Sequence, residues 1–221
     1  MDSLIFSAEV IVILAAVFAA AYFSERPEFT ARHVALTGVM AAAAGVLMML
    51  EIPLPFAPPF YKLDISEVPV LILTFAYGPF SGITCGLLKI VIKILLKGTS
   101  SAFVGELANF LICAGFILPA GLIYLKKKTR KRALISLIAG TAVMTAFGSF
   151  LNAVYLLPAF SRIYGLPLDA IVGMGTAVNP AVDSVKMLVL LCVVPVNLLK
   201  GAVDTVLTML MYKRLSPVLK R

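Results

Sequence analysis

The chain has 221 residues, of which 61% are hydrophobic, and its mean hydropathy is +1.04. Soluble domains are only about half apolar, so this composition excludes an ordinary soluble protein and indicates an integral membrane protein. The apolar runs are long and are separated by Pro, Gly and Lys/Arg clusters, which predicts a helix bundle and not a β-barrel. We expect an all-α membrane protein with one compact bundle.

The formal net charge of +8 could suggest nucleic acid, but the basic residues lie at the ends of apolar runs. Residues 126–132 read KKKTRKR, and the chain closes with Lys213, Arg214, Lys220 and Arg221. Such clusters are typical of cytoplasmic loops, so the charge predicts topology and no nucleic-acid partner. The three cysteines have no paired spacing, which indicates small core residues and not a metal site or disulfide framework.

The first apolar run, residues 4–23, carries a single charged residue and is long enough to span a bilayer. A secretory signal is the alternative, because residues 19–21 are alanines that could form a cleavage site. The positive start of a signal is missing, since Asp2 stands there. We expect residues 1–25 to form an extra transmembrane helix and residues 26–221 to form the main membrane domain.

The next elements follow from apolar runs and their breakers. A Pro-rich segment, residues 51–63, holds four prolines that exclude a helix and predict a fixed, irregular loop. Turns are predicted at residues 78–82 and 97–101. Helices are predicted over residues 34–50, 65–77, 83–96, 103–125 and 133–157, the last closed by Pro158.

The last part of the chain is too long for one span, because residues 180–212 as a single helix would measure about 50 Å. A bilayer core is about 30 Å thick. Proline is favoured at the first position of a helix, so we expect a new helix from Pro195 to Tyr212. Residues 187–194 would then form a short segment folded across the outer mouth of the bundle.

Orientation follows from placing residues 126–132 and the C-terminus in the cytoplasm. Asn152, Asn197 and Lys200 then all lie toward the outer side of the membrane. Asn197 and Lys200 are three residues apart and share a helix face. Amides and one cation among apolar helix faces suit a flat, amphiphilic ligand such as a heterocycle with imide or amide edges. The alternative is that these groups only tie helices together.

Several motifs occur in a characteristic order. These are LDISEVPVLILTFAYGP (63–79), GELANF (105–110), the basic loop, FLNAVYLLP (150–158) and PVNLLKG (195–201). Together they resemble the riboflavin-specific substrate-binding subunit of energy-coupling factor (ECF) transporters, from about residue 34 to the C-terminus. The resemblance implies a six-helix bundle of the plasma membrane that captures riboflavin from outside. It also implies that a separate transmembrane coupling protein and two cytoplasmic ATPases drive release.

Carried over to this sequence, the resemblance assigns the flavin-binding amides and amine to Asn152, Asn197 and Lys200. It assigns gating to the Pro-rich segment and residues 159–194. A small-xxx-small pattern at Gly38 and Ala42 matches the family's docking site for the coupling protein, and packing inside the bundle is the alternative.

Four further polar residues are expected near the outer side, where they contact the ribityl chain or cap helices: Asp64, Glu67, Glu106 and Asn109. Deeper in the membrane, Lys89 and Asp204 are expected to pair with each other, because charges in a bilayer tend to pair inward.

Other function classes find less support. The chain has one histidine, His33, and no HExxH, GxSxG or phosphate-cradling loop, so we expect no catalytic residue, metal or cofactor. A stand-alone secondary transporter would favour internal repeats, and the sequence shows none. A subunit for another vitamin or flavin remains the nearest alternative.

Overall fold

The protein, represented here by a computed structural model, is described over residues 2–25, 30–99 and 101–220. Its helices are α1 (Asp2–Glu25), α2 (Ala31–Met49), α3 (Glu67–Tyr77), α4 (Pro79–Lys97), α5 (Val104–Lys126), α6 (Arg130–Leu151), α7 (Leu157–Tyr164), α8 (Leu168–Thr176), α9 (Val185–Leu188) and α10 (Val194–Lys220). Two short strands, β1 (Ile52–Pro53) and β2 (Lys62–Leu63), pair antiparallel in the loop between α2 and α3.

Local signals in the sequence set the helix ends. The side chains of Thr30, Thr129 and Ser184 accept backbone N–H bonds at the starts of α2, α6 and α9, as N-cap residues do. Gly78 ends α3 with φ of 92°, a left-handed conformation that favours glycine, and Pro79 is the first residue of α4. The predicted turn at residues 78–82 is therefore only one residue long.

Five helical stretches among the described residues are long and apolar enough to cross a membrane. They are Ala31–Met49, Pro79–Lys97, Val104–Lys126, Arg130–Tyr164 and Val185–Arg214. The shorter α3 packs between α2, α4, α5 and α10, and its residues from Glu67 to Phe75 are all buried. With α3 these stretches form the predicted six-helix bundle.

The bundle has two ends, which we name by their residues. The hairpin end carries β1, β2, α7 and α8, and the basic end carries the exposed cluster at residues 126–132. The additional helix α1 packs against α4 and α5. Its Phe18 ring lies 6.3 Å from Phe110 and 6.1 Å from Phe80, centroid to centroid, and Ala21 is fully buried.

The predicted breaks at Pro158 and Pro195 are wrong. The helix that starts at Arg130 continues to Tyr164, and residues 187–194 are not a separate segment but part of a helix over 185–220. Each proline comes two residues after a π-helical turn, at Asn152–Leu156 and Val189–Val193. Proline lacks an N–H and clashes with the carbonyl four residues earlier in a regular helix. The wider turn shifts the bonding to the fifth residue, so the chain passes the proline without a break.

Candidate functional site

Two adjoining cavities lie at the hairpin end, with volumes of about 190 Å³ and 620 Å³. They share walls from the Pro-rich loop, from α5 and from α7. All seven residues expected to contact substrate line one or both cavities. Asn152, Asn197, Lys200 and Glu67 line the smaller cavity, Glu106 lines the larger, and Asp64 and Asn109 line both.

Lys200 is held by two carboxylates in the smaller cavity. Its Nζ lies 2.8 Å from Asp64 Oδ2 and 2.8 Å from Glu67 Oε2. Asp64 also accepts the backbone N–H of Ser66 at 2.9 Å, so this carboxylate both caps the chain before α3 and pairs with Lys200. Burial alone would raise the pKa of Asp64, but the ammonium groups of Lys200 and Lys89 hold it well below its usual range. Two of the three N–H donors of Lys200 are thus used within the protein.

The expected Lys89–Asp204 ion pair is wrong. Lys89 is fully buried and donates to Glu67 Oε1 at 2.7 Å and to Ser66 Oγ at 2.8 Å. Asp204 is also fully buried, and neither of its oxygens has a hydrogen-bond partner among the described residues. Glu67 takes the role expected of Asp204, because the first turn of α3 brings this carboxylate between the two lysines.

The two asparagines present N–H groups to the same cavity. Asn152 opens the π-helical turn after α6; its Oδ1 accepts the Tyr61 hydroxyl at 2.9 Å, and its Nδ2 donates to the Gly148 carbonyl at 2.8 Å. One N–H of Asn152 remains. Asn197 Nδ2 has no partner in the described part of the chain. Together with the third N–H of Lys200, three donors line one cavity, which suits a ligand edge with several acceptors.

Aromatic and aliphatic side chains complete the smaller cavity. The rings of Phe60 and Phe160 lie 6.4 Å apart, and Ile112, Leu156 and Val196 add apolar wall. Asn109 Oδ1, by contrast, is a buried acceptor without a partner among the described residues. Apolar walls with a few convergent polar groups are typical of a site for a flat ring that carries acceptors and a donor on its edge.

The larger cavity has mainly charged and hydroxyl walls. Glu51 Oε1 pairs with Lys62 at 2.9 Å and with Lys97 at 2.5 Å. Burial alone would raise the pKa of Glu51, but the hydrogen bonds from these two lysines hold it below its usual value. Glu106 accepts from Lys93 at 2.6 Å and from the hydroxyls of Thr99 and Ser101.

The sequence analysis does not identify Tyr61 as a site residue, and it does not predict that Glu67 pairs with both Lys89 and Lys200. Tyr61 follows the prolines of the loop, and only the fold of that loop brings its hydroxyl to Asn152, 91 residues away. Burial raises the pKa of the Tyr61 phenol well above its usual value, so Tyr61 stays a neutral donor. The one available signal was the Phe60–Tyr61 pair, because adjacent aromatic residues in a Pro-rich loop point to a binding surface.

The two small residues of α2 lie on its exposed side. No atom of the described residues lies within 4 Å of a Cβ built on Gly38, and Ala42 is exposed. Gly45, one turn further along, packs inside the bundle, since its Cβ would lie 2.8 Å from Ile92 Cγ2. Packing within the bundle therefore explains Gly45 but neither Gly38 nor Ala42.

The fold and the cavities define a multi-pass helical membrane protein with a ligand-sized site at one end of its bundle. Comparison with known families identifies the class further. Residues 32–212 match the family model described as ECF transporter, substrate-specific component, and the chain belongs to this family. The family is one of transporter subunits and not of enzymes.

Similar proteins of known name cover most of the chain. The riboflavin transporter RibU of Staphylococcus aureus (strain TCH60) is 36% identical over 183 residues, or 83% of this chain and 89% of that protein. The riboflavin transporter FmnP of Bacillus subtilis (strain 168) is 33% identical over 84% of this chain and 93% of that protein.

A solved structure of the S component of a bacterial ECF transporter is also similar. Its TM-score is 0.67 at 35% identity, and the match covers 86% of this chain and 98% of that one. The predicted bundle and the predicted family are confirmed.

Proposed function

We propose that this protein captures riboflavin with high affinity from outside the cell and is the substrate-specific subunit for its uptake. The single observation that carries the proposal is the set of three N–H donors, from Asn152, Asn197 and Lys200, in one apolar-walled cavity. The pyrimidine-like edge of a flavin ring carries carbonyl and ring-nitrogen acceptors and one imide N–H. Asn109 Oδ1 is a suitable acceptor for that N–H. The names of the two similar transporters point to the same ligand.

The two cavities suit chemically different parts of riboflavin. The apolar walls of the smaller cavity suit the tricyclic ring, and the polar walls of the larger cavity suit the ribityl hydroxyls. Lys200 is neutralised by Asp64 and Glu67, which favours an uncharged carbonyl over a phosphate next to it. Ring burial contributes the larger share of the affinity, with about 0.5–1.5 kcal/mol from each net hydrogen bond.

The proposed orientation places the hairpin end outside and the basic end in the cytoplasm. The cluster at residues 126–132 is almost entirely exposed, as the positive-inside rule expects of a cytoplasmic loop. At the hairpin end, by contrast, Lys62 and Lys97 are paired with Glu51, and Lys93 with Glu106. The site then opens toward the outside, with the Pro-rich loop and α7–α8 as its gates.

Energy for release comes, in this proposal, from separate subunits: a transmembrane coupling protein and two cytoplasmic ATPases. The coupling protein docks on the exposed small residues of α2, Gly38 and Ala42, where helices can approach closely. The chain itself then binds and presents riboflavin without hydrolysing ATP.

Titration of purified protein with riboflavin, followed by quenching of flavin fluorescence, tests the proposal. We expect saturable one-to-one binding and a yellow protein when it is purified from riboflavin-fed cells. Asn197→Ala should weaken binding by about tenfold to a hundredfold, since a lost hydrogen bond to a buried group costs about 1–3 kcal/mol. The unliganded variant should stay folded, because its amide nitrogen bonds to no described residue.

Asn179→Ala is the matched control, because it removes an amide that lines neither cavity and lies beyond α8, outside the proposed gates. It should bind riboflavin as the wild type does. Absence of saturable quenching by the folded wild type would exclude riboflavin, and thiamine or biotin titrated in the same way would then examine another vitamin as ligand.

A further inference from the structure

Unpartnered polar atoms line the interface between α6 and α10, on the cytoplasmic side of the proposed riboflavin site. The spacing of four, seven and eleven residues puts Asn197, Gly201, Asp204 and Thr208 on one face of α10. That face meets α6, since a Cβ on Gly201 would lie 2.6 Å from Thr141 Oγ1. On the α6 and α10 sides of this interface, the buried polar atoms without a hydrogen-bond partner among the described residues are Asn197 Nδ2, Thr141 Oγ1, Thr145 Oγ1, Thr208 Oγ1 and both oxygens of Asp204.

Asp204 is the one carboxylate of its surroundings that lacks an ion pair among the described residues. Asp64 is paired with Lys200, and Glu67 with both Lys200 and Lys89. Among the described residues, three carboxylates therefore face two ammonium groups, which leaves one negative charge in excess at membrane depth. Such a charge is strongly disfavoured unless a positive charge neutralises it.

We propose that Asp204 is a proton-binding site. The proton that it takes up from water keeps Lys200 in its position at the riboflavin cavity. No group of three or more metal-ligating His, Cys, Asp or Glu side chains occurs in the described ranges, which favours a proton over a metal ion as the neutralising charge. The role assigned to Lys200 rests on the proposed function; the proton site itself rests on the burial of Asp204.

Lys200 couples the two sites through the helix that both residues share. Residues four apart on a helix are neighbours, so an ionised Asp204 competes with Asp64 and Glu67 for the Lys200 ammonium. A neutral Asp204 does not compete, and Lys200 then keeps its position at the cavity, 2.8 Å from both carboxylates. Deprotonation of Asp204 should therefore draw Lys200 inward and weaken riboflavin binding.

The other titratable groups near Asp204 come from each neighbouring element. Glu67 lies on α3, Asp64 on the preceding loop, Lys89 on α4 and Cys113 on α5. From α6, the described residues contribute the hydroxyls of Thr141 and Thr145. Both carboxylates and Lys89 are ion-paired, so a substitution confined to Asp204 separates its titration from theirs.

The main test measures the dissociation constant of riboflavin from about pH 5 to about pH 8 at constant ionic strength. Wild-type affinity should fall as the pH rises, by at most about tenfold per pH unit, since one proton is linked to binding. Asp204→Asn mimics the protonated acid; it should bind as tightly as the wild type at low pH and show no such pH dependence. Asp2→Asn, a substitution at the first residue of α1 and outside the segments assigned to gating, should keep the wild-type profile.

A second readout does not depend on riboflavin. The wild-type infrared spectrum should contain the C=O stretch of a protonated buried carboxylic acid, which Asp204→Asn should lack. If riboflavin does not bind at any pH but this band is present, the proposed function fails and the proton site stands.

Absence of the infrared band overturns the proton site. A wild-type affinity that does not change with pH, or an unchanged pH profile in Asp204→Asn, overturns its coupling to riboflavin binding. Riboflavin affinity is also compared in sodium and in choline salts. If the wild-type affinity falls when choline replaces sodium, and Asp204→Asn shows no such fall, Asp204 binds a metal ion and not a proton. If Asp204→Asn does not fold, the wild-type pH profile and infrared band still decide.

Discussion

Tyr61 illustrates how a residue outside the helices can set the chemistry of a site within them. Its hydroxyl donates to Asn152 Oδ1, so that the amide must direct its nitrogen toward the Gly148 carbonyl and the cavity. Without this bond the Asn152 amide could turn over and present an acceptor instead. The loop residue thus orients a proposed ligand donor and ties the hairpin-end loop to α6.

Tyr61→Phe should weaken riboflavin binding by about threefold to tenfold, because it removes one hydrogen bond worth about 0.5–1.5 kcal/mol. The aromatic wall of the cavity remains, so the bound flavin should keep its absorption spectrum. Fluorescence titration measures the affinity, and stopped-flow quenching measures whether dissociation is faster, as expected of a loosened gate. Tyr22→Phe on α1 is the control; an equal loss in both variants would count against an orienting role.

At the scale of whole elements, the two π-helical turns lie close to the proposed site. The first contains Asn152, and the second ends four residues before Asn197. Each adds a residue to its turn, which rotates the helix beyond it relative to the part before it. The prolines that follow thus coincide with a change in helix face beside the cavity and not with helix ends.

This is also where prediction from sequence fails. The helix predicted at residues 103–125 is observed at Val104–Lys126, because a long apolar run bounded by turn residues has one stable solution in a membrane. The breaks predicted at Pro158 and Pro195 follow from the rule for regular α-helices, which does not hold next to a π-helical turn. Such a turn depends on tertiary packing and leaves no clear pattern in one sequence.

The candidate site, too, can be predicted from the sequence only in part. Helical spacing was enough to place Asn197 and Lys200 together, since residues three apart share a face. Glu67 as the partner of Lys89 depends on how α3 packs against α4, a contact between different elements that spacing within one helix does not contain. Whether these residues bind substrate stays a prediction.

The contact between α6 and α10 provides a test at this scale. A Cβ on Gly201 would lie 2.3 Å from Thr141 Cγ2, far inside van der Waals distance. Gly201→Ala should therefore push the helices apart, destabilise the protein by about 1–3 kcal/mol and lower its thermal midpoint. Adding Thr141→Ala should restore most of that loss, because it removes the two nearest atoms, Cγ2 and Oγ1, and leaves only the Thr141 Cβ at 2.9 Å.

Gly38→Ala is the matched control, because the position is helical and open. It should leave the midpoint unchanged or raise it slightly, since alanine favours a helix by about 1 kcal/mol over glycine. If Gly201→Ala behaves like Gly38→Ala, the two helices do not approach as closely as described.

For the whole molecule, the proposed function requires one surface for riboflavin and another for the coupling protein. The riboflavin cavities are at the hairpin end, whereas Gly38 and Ala42 lie on the flank of α2. The extra helix α1 covers part of α4 and α5 and leaves these two residues exposed. Binding and coupling should therefore be separable by mutation.

Gly38→Trp and Ala42→Trp should abolish riboflavin uptake by cells while the purified variants bind riboflavin with wild-type affinity. No atom of the described residues lies within 4 Å of a Cβ on Gly38, and Ala42 is exposed, so a bulky side chain at either position should be tolerated by the subunit but would keep a partner helix from approaching. Ile138→Trp, at an exposed position on α6, is the control and should preserve uptake. Uptake that survives in both α2 variants would exclude this face for the coupling protein, and lost binding in either would show that the substitution disturbs the subunit itself.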